Sequence, residues 1–164
     1  MYKRQLLEAV ENNHYYNKEK NVGAEVINGR FFLYTNTGEY VLYESSTGKY
    51  YKFGNAKIGI PLVYSDKGIS WKPPLVINRY SHPGIPDKNR PMQEICNGPF
   101  SYDRLRKEYP SVKTQLCILL NKVRDMILRG YFGNQGAWHP LTQEDYWASH
   151  EIKESFDRSL VSNV

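Results

Sequence analysis

Cysteines and long apolar runs are scarce in this sequence. Its 164 residues include two cysteines, Cys96 and Cys117, which excludes a disulfide framework or a zinc site of four thiolates and favours a reducing, cytoplasmic setting. No uncharged apolar stretch approaches the roughly 18 residues that a membrane helix needs, so we expect neither a transmembrane protein nor a membrane partner. The basic start lacks the apolar core of a signal peptide. The length predicts a single domain over residues 1–164.

Sequence motifs of several enzyme classes are also missing. Gly54 and Gly59 have the spacing of a phosphate-binding loop, but Ile60 and Pro61 follow where lysine and then serine or threonine are required. No His-Glu-x-x-His, paired Cys-x-x-Cys or Gly-x-Ser-x-Gly is present. The histidines lie far apart in the sequence, so local spacing predicts no metal site.

The net charge and the aromatic content indicate which partners and which kinds of sheet surface suit the chain. The net charge is +5, from 22 lysines and arginines against 17 acidic residues, but the cations are spread along the chain. The 14 tyrosines each combine a hydroxyl with a large apolar ring, which suits half-buried sheet faces. A nucleic-acid-binding domain that uses strand tyrosines with Arg30, Lys49 and Lys52 is an open but less favoured hypothesis.

The hydrophobic pattern changes from helical to strand-like near residue 22. Residues 2–16 predict an N-terminal amphipathic helix. Three strand-like runs separated by turns follow at 30–35, 39–44 and 49–53, and they predict an antiparallel meander. Further strands are predicted at 58–64 and 71–77. We expect edge or terminal pairings for these two, because their prolines cannot donate to a ladder.

The second half of the chain predicts a long irregular segment and two helices. Prolines interrupt residues 78–110, and an irregular stretch of this length inside a domain is usually functional. A helix capped by Ser111 and ending at Gly130 follows, with one apolar face formed by Val112, Leu116, Leu119, Leu120, Val123 and Ile127. A last helix is predicted from Asp145 to Leu160, after a variant capping box at Thr142. The order predicts an α+β domain: N-terminal helix, antiparallel meander sheet, long irregular segment, C-terminal helices.

The two cysteines differ in their sequence surroundings. Cys117 lies inside the predicted amphipathic helix, where burial without a basic neighbour raises the pKa of a thiol and leaves it inert. Cys96 lies in the irregular segment between polar and turn-forming residues, and an exposed thiol with its ordinary pKa of about 8.5 is a usable nucleophile. From composition alone, both a catalytic and an incidental Cys96 remain open.

A family resemblance favours the catalytic interpretation. Residues 72–83 read Lys-Pro-Pro-Leu-Val-Ile-Asn-Arg-Tyr-Ser-His-Pro, and Ile95-Cys96 follows. This run resembles the active-site approach of ubiquitin-conjugating enzymes, with Pro-Pro before a strand, a His-Pro-Asn turn and an Ile-Cys that carries the thioester. Residues 109–111 and 140–142 resemble the starts of the next two family helices. The resemblance covers most of the chain in order, through short and degenerate motifs.

The resemblance implies a ubiquitin-like protein transferase with Cys96, His82 and Asn97 as its catalytic residues. Cys96 would take the carboxyl end of a modifier from an activating enzyme as a thioester, which an acceptor amine would then attack. The implied partners are a ubiquitin-like modifier, an activating enzyme and a deubiquitinase-like protease of the same pathway, with no metal or small cofactor. The divergence is similar to that of bacterial family members, which suggests a prokaryotic or phage setting and antiviral defence.

The chain departs from the family pattern between His82 and Cys96. These residues are fourteen positions apart, which is longer than the family spacing and indicates an insertion. Lys88 and Arg90 lie in it and would lower the pKa of the thiol or steer an acidic partner, or else belong to a solvated loop without consequence. Gly84 replaces the asparagine credited with supporting the oxyanion. Asn97 is either a substitute donor or a turn former, and both interpretations remain open. These departures keep a non-catalytic binding module of the same fold open as a second hypothesis.

Overall fold

The computed structural model describes residues 22–44, 47–82, 84–85, 87, 89–95, 100–129, 147–153, 155 and 161–163. The predicted N-terminal helix, Gly130 and the predicted capping box at Thr142 lie outside these residues. The strands within them are β1 (Val22–Ile27), β2 (Arg30–Asn36), β3 (Tyr40–Glu44), β4 (Lys49–Phe53), β5 (Lys57–Ser65), β6 (Gly68–Trp71), β7 (Leu75–Val76), β8 (Gln93–Glu94) and β9 (Val161–Asn163). The helices with assigned bounds are α1 (Tyr102–Glu108) and α2 (Val112–Arg129).

The strands form two sheets. The larger sheet has the order β1-β2-β5-β7-β8, with β6 paired to β5, and the smaller has the order β4-β3-β9. Strand β9 runs parallel to β3, and the other strand pairs are antiparallel. The structure confirms a mixed α+β chain with antiparallel pairing.

The predicted meander is wrong at its first connection, because β2 and β3 belong to different sheets. The connection between them has Gly38 at a φ of 70° and a bend at Glu39, and its backbone hydrogen bonds go to Asn55 and Ala56. The Thr37 N–H donates to the Ala56 carbonyl at 3.0 Å, and the Ala56 N–H donates to the Thr37 hydroxyl at 2.9 Å. The connection is therefore fixed to the residue before β5, and β5 pairs with β2 in place of β3.

The expectation of edge pairings is wrong for the strand that contains Pro61. Strand β5 is central, with β2 on one side and β6 and β7 on the other. Pro61 lies opposite Phe32, and on its other side its carbonyl accepts from the Lys72 N–H at 3.0 Å. The nitrogen and the carbonyl of one strand residue face the same side, so the Pro61 nitrogen lies in the gap between β6 and β7. No ladder donor is needed there, and a proline is tolerated. This gap also splits the strand predicted at 71–77.

Two helix predictions for the second half need correction. The segment predicted as irregular contains α1, whose N-cap Ser101 accepts through its side chain from the Arg104 N–H at 3.2 Å. Residues 147–150 are helical, but the predicted continuation to Leu160 is wrong. Glu151 instead forms a β-bridge with Tyr51, and the Ile152 N–H donates to the Tyr50 carbonyl at 2.8 Å. Pairing with the edge of β4 therefore replaces the next helical turn.

Helix α2 begins directly after Ser111, as predicted, and its apolar face joins two buried clusters. Cluster A contains Leu33, Ile60, Leu62, Trp71, Leu105, Leu116, Cys117, Leu119 and Leu120. Cluster B contains Tyr40, Leu42, Tyr51, Phe53, Ala56, Ile58, Val76, Tyr80, Ile85, Ile95, Val123 and Ile127. The first half of the helix thus packs on the larger sheet, and the second half reaches the residues that precede Cys96. No helix in the described part of the chain is long and apolar enough to cross a bilayer.

Truncation of a fully buried α2 side chain tests this packing. We expect Leu120→Ala to lower the free energy of unfolding by about 2–5 kcal/mol, because it removes buried methyl groups and leaves a cavity. Urea denaturation followed by circular dichroism measures the change. The control Lys113→Ala, at an exposed position of the same helix, should stay within about 0.5 kcal/mol. Equal effects of the two variants would contradict the packing of this face.

Candidate functional site

The segment predicted to be catalytic begins and ends beside the second half of α2. At its start, the Nε2 atom of His82 lies 3.3 Å from the carbonyl oxygen of Ile127. At its end, Ile95 is buried in cluster B, which also contains Val123 and Ile127. Ile85 belongs to the same cluster. The segment therefore contacts this cluster at Ile85, soon after His82, and again at Ile95, immediately before Cys96.

The His82 ring is fully buried, and both of its nitrogens are hydrogen-bonded. The Gly84 N–H donates to Nδ1 at 3.1 Å. Nε2 is therefore the protonated nitrogen that donates to the Ile127 carbonyl, because a neutral imidazole has one donor and one acceptor. Burial lowers the pKa of His82 from 6.5 to about 3, so the ring is neutral at physiological pH. These features favour a positioning role for His82 over proton transfer.

Aromatic rings complete the surroundings of His82. The ring centroids of Phe53 and Tyr80 lie 5.6 Å and 6.0 Å from that of His82. His150 stacks on Phe53 at 4.4 Å, and this places the helical residues 147–150 over the smaller sheet. The Tyr80 hydroxyl lies 2.9 Å from the Gly54 carbonyl oxygen. These contacts fix the backbone on the N-terminal side of His82.

The insertion between His82 and Cys96 is folded around Asp87. The Asn89 N–H donates to Asp87 Oδ1 at 2.9 Å, and the Arg90 N–H donates to the Asp87 carbonyl at 3.2 Å. The Arg90 Nε atom lies 3.4 Å from Asp87 Oδ2, so the carboxylate partly offsets the charge that was predicted to act on Cys96. Lys88, the other predicted cation, lies outside the described residues.

Gln93 holds this insertion to strand β8. Its side chain is buried, and its Oε1 atom accepts from the Asp87 N–H at 3.0 Å. Its Nε2 atom donates to the carbonyls of Asp87 and Arg90. The sequence analysis did not select Gln93. A signal was present, since Gln93 and the apolar Ile95 are two positions apart and therefore share one side of an extended chain.

Cys96 and Asn97, two of the three predicted catalytic residues, lie outside the described residues. Their described sequence neighbours are Ile95, which is buried, and Phe100, whose ring packs edge to face on Tyr102 of α1 at 5.7 Å. The position that would hold the family asparagine is described. Gly84 is buried there, and its N–H is used by His82.

Cys117 has the properties predicted for an inert thiol. It is buried in cluster A on α2, and burial raises its pKa above the ordinary value. A thiol that is neither exposed nor ionised at neutral pH is a poor nucleophile. Cys117 is therefore a suitable internal reference for any reaction at Cys96.

The cations named for nucleic-acid binding do not converge. Lys49 and Lys52 lie on β4 of the smaller sheet. The Lys49 Nζ atom lies 3.6 Å from Glu151 Oε2, and the Lys52 Nζ atom lies 3.9 Å from Glu39 Oε2. Arg30 lies on β2 of the larger sheet. Two of the three named cations therefore face carboxylates, and the third lies on the other sheet. The described residues also contain no group of three histidine, cysteine or acidic side chains placed to hold a metal ion.

Comparison with known proteins adds no relative to this description. No protein-family model, curated protein or solved structure matches the chain. The functional interpretation therefore depends on the sequence motifs and on the geometry of the described residues.

The buried histidine predicts how stability depends on pH. Unfolding raises the pKa of His82 from about 3 to its ordinary 6.5, so the unfolded chain binds the proton more tightly. The stability contributed by the neutral ring is complete above pH 6.5 and is lost as the pH falls towards 3. His82 contributes at most about 1.4 kcal/mol per pH unit to the change of the free energy of unfolding with pH. We expect His82→Gln to remove this slope in urea denaturation between pH 7 and pH 5.

The control for this experiment is His150→Gln, which removes the other imidazole that contacts Phe53 but leaves His82 in place. The slope that belongs to His82 should persist in this variant. Identical pH dependence of wild type and His82→Gln would show that the ring is not buried in its neutral form.

Proposed function

We propose that this protein is a ubiquitin-like protein conjugating enzyme, which carries a modifier as a thioester on Cys96 and transfers it to an amine. The observation that carries the proposal is the return of the chain to α2. His82 and Ile95 are thirteen positions apart, yet the first bonds Ile127 and the second lies in the cluster that contains Ile127. The two motifs that the resemblance combines into one site therefore both reach the part of the core to which the second half of α2 contributes.

The proposed reaction consists of two acyl transfers. The Cys96 thiolate attacks the thioester carbonyl that joins the modifier to the activating enzyme. A new S–C bond forms, and the thiolate of the activating enzyme leaves with the electron pair of the broken bond. An acceptor amine then attacks the same carbonyl carbon, loses a proton to solvent and forms an amide as the Cys96 thiolate leaves. Each step replaces one leaving group by another, and no redox partner or metal is required.

His82 supports this reaction by geometry in the proposed site. Its neutral ring bonds Gly84 on one side and Ile127 on the other, so it fixes the turn after position 82 against α2. Burial lowers its pKa to about 3, which makes the ring a weak base at neutral pH and favours a positioning role over proton transfer. We therefore assign His82 as a positioning residue and leave the covalent chemistry to Cys96.

The conjugating enzyme and the non-catalytic binding module differ in whether the site can stabilise an oxyanion. Gly84 has no side chain, and its N–H already donates to His82. A tetrahedral intermediate at Cys96 therefore needs a donor from another residue, for which Asn97 is the candidate. Without such a donor the chain would be a binding module that docks a modifier or a partner without forming a thioester.

Thioester formation tests the proposal directly. Incubation with an activating enzyme, its modifier and ATP should give a reducible adduct at Cys96, because a thioester is cleaved by excess thiol and an amide is not. Intact-mass spectrometry with and without reductant measures it, followed by peptide mapping. We expect Cys96→Ala to abolish the adduct and Cys117→Ala, which changes the buried thiol, to retain it. Neighbouring genes for an adenylating enzyme and a small protein ending in glycine would supply the reagents.

Two results would contradict the proposal. An adduct that forms equally in Cys96→Ala would exclude Cys96 as the carrier. A wild-type protein that binds the modifier but forms no reducible adduct would support the binding module instead. An Asn97→Ala variant that loads normally would additionally remove Asn97 as the oxyanion donor.

A further inference from the structure

Strand β1 forms one edge of the larger sheet and carries little that protects such an edge. All six of its residues pair in regular register with β2, and no strand in the described part of the chain lies on its other side. Its sequence contains no proline or lysine, the residues that commonly keep an edge strand from pairing with another chain. Its one charged residue, Glu25, is paired within the sheet, with the Lys57 Nζ atom 2.5 Å from Glu25 Oε2.

The other edge strands of the described structure are shorter and better protected. Strand β8, at the opposite edge of the larger sheet, has two residues and includes the exposed Glu94. Strand β9 has three residues. Strand β4 carries Lys49 and Lys52, and its Tyr50 carbonyl already accepts from the Ile152 N–H. Length and charge therefore favour β1 as the edge that can accept a further strand.

The turn after β1 determines which of its backbone groups point outward. Asn28 and Gly29 have φ values of 51° and 76°, the two left-handed residues of a type I′ hairpin turn. Such a turn is closed by a hydrogen-bonded pair, here Ile27 and Arg30, and bonded and non-bonded pairs alternate along antiparallel strands. The β1 residues whose N–H and carbonyl groups face the open edge are therefore Val22, Ala24 and Val26.

The side chains of these three residues lie on the face of the sheet that α2 covers. Val22 packs against cluster A, and Ala24 lies opposite Leu33 of that cluster. Val26 extends beyond it and is 59% exposed, the largest fraction among the large apolar side chains of the described residues. The open backbone groups of β1 thus lie beside an apolar side chain that an added strand would cover.

We propose that β1 pairs antiparallel with β1 of a second copy of this chain, about a two-fold axis at Ala24. In this register Ala24 lies opposite the partner's Ala24, and Val22 lies opposite the partner's Val26. Every outward-facing residue of one strand then meets an outward-facing residue of the other, so their N–H and carbonyl groups can bond. Glu25 lies opposite the partner's Gly23, so no like charges face each other.

Self-complementarity favours a second copy over an unrelated peptide. Because the contact is two-fold, each Val26 is covered by the partner's Val22 and the valine pair occurs twice. An axis at Glu25 would place two carboxylates opposite each other, and an axis at Gly23 would leave Val26 opposite a residue outside β1. An unrelated extended peptide could use the backbone groups, but nothing requires it to present valines at these positions.

The mass in solution tests this association. Sedimentation velocity of the full-length protein over a concentration series should show a dimer of twice the 19.2 kDa chain, which dissociates on dilution because one strand pair is a small interface. We expect Val26→Lys to raise the dissociation constant about tenfold, because lysine replaces both cross-strand valine pairs. The control Val63→Lys, at a 37% exposed valine of β5, should change it by less than about twofold.

Cysteine cross-linking tests the register. In a hydrogen-bonded antiparallel pair the two Ala24 Cα atoms would lie about 5.5 Å apart, which suits a disulfide. The two Val26 residues would be separated by about 13 Å along the strands. With diamide as the oxidant, Ala24→Cys should therefore form a covalent dimer and Val26→Cys should not, although Val26 is the more exposed residue. Both variants are made in full-length Cys96→Ala protein and compared on a non-reducing gel.

These measurements can overturn the proposal independently of the proposed function, since none of them uses Cys96. A protein that stays monomeric at every concentration excludes the dimer. A dimer that Val26→Lys and Val63→Lys weaken equally does not form through β1. Covalent dimers that form as readily from Val26→Cys as from Ala24→Cys exclude the axis at Ala24. Circular dichroism checks the fold of each variant, and if Val26→Lys fails to fold, the smaller cysteine substitutions decide.

Discussion

Helix α2 packs against both halves of the core, and the site depends on this arrangement. At 1.5 Å per residue its 18 residues extend roughly 27 Å, which is long enough to cover the larger sheet and reach the smaller one. Leu116, Leu119 and Leu120 contribute to cluster A, while Val123 and Ile127 contribute to cluster B. Because the backbone of the same helix accepts the His82 hydrogen bond, the packing that stabilises the fold also places the start of the proposed catalytic segment.

An irregular segment can remain inside a compact chain only if its backbone groups find partners. Here buried side chains supply them. His82 joins the Gly84 N–H to α2, and Gln93 satisfies an N–H and two carbonyls of the insertion. The Asp87 side chain satisfies the Asn89 N–H within the loop itself. These polar side chains thus supplement the short β7–β8 ladder, which is the regular pairing of this segment among the described residues.

This construction constrains the proposed chemistry. A histidine bonded on both nitrogens in an apolar cluster stays neutral, so it is well suited to hold a turn and poorly suited to move protons. The exposed Arg90 guanidinium is paired with the Asp87 carboxylate, which offsets part of its positive charge.

Local periodicity decided much of the architecture in advance. The strand at 49–53, the helix after Ser111 with its buried leucines, and the turn glycine Gly38 are all encoded by neighbours a few residues apart, so the sequence alone predicts them. The Ser101 cap of α1 was an equally local signal, although the prolines around it concealed the helix.

Strand partners, the end of the last helix and the role of Gln93 were decided by tertiary structure. Strand β2 pairs with β5, and Thr37 bonds Ala56 nineteen positions away at the end of this ladder. Pro61 lies in a central strand where β6 and β7 leave a gap beside it. The residue types that bear the proposed chemistry can be read from the sequence. Their approach to one part of the core cannot, because a hydrogen bond from a side chain to a distant carbonyl and the packing of distant apolar residues leave no periodic trace in a single sequence.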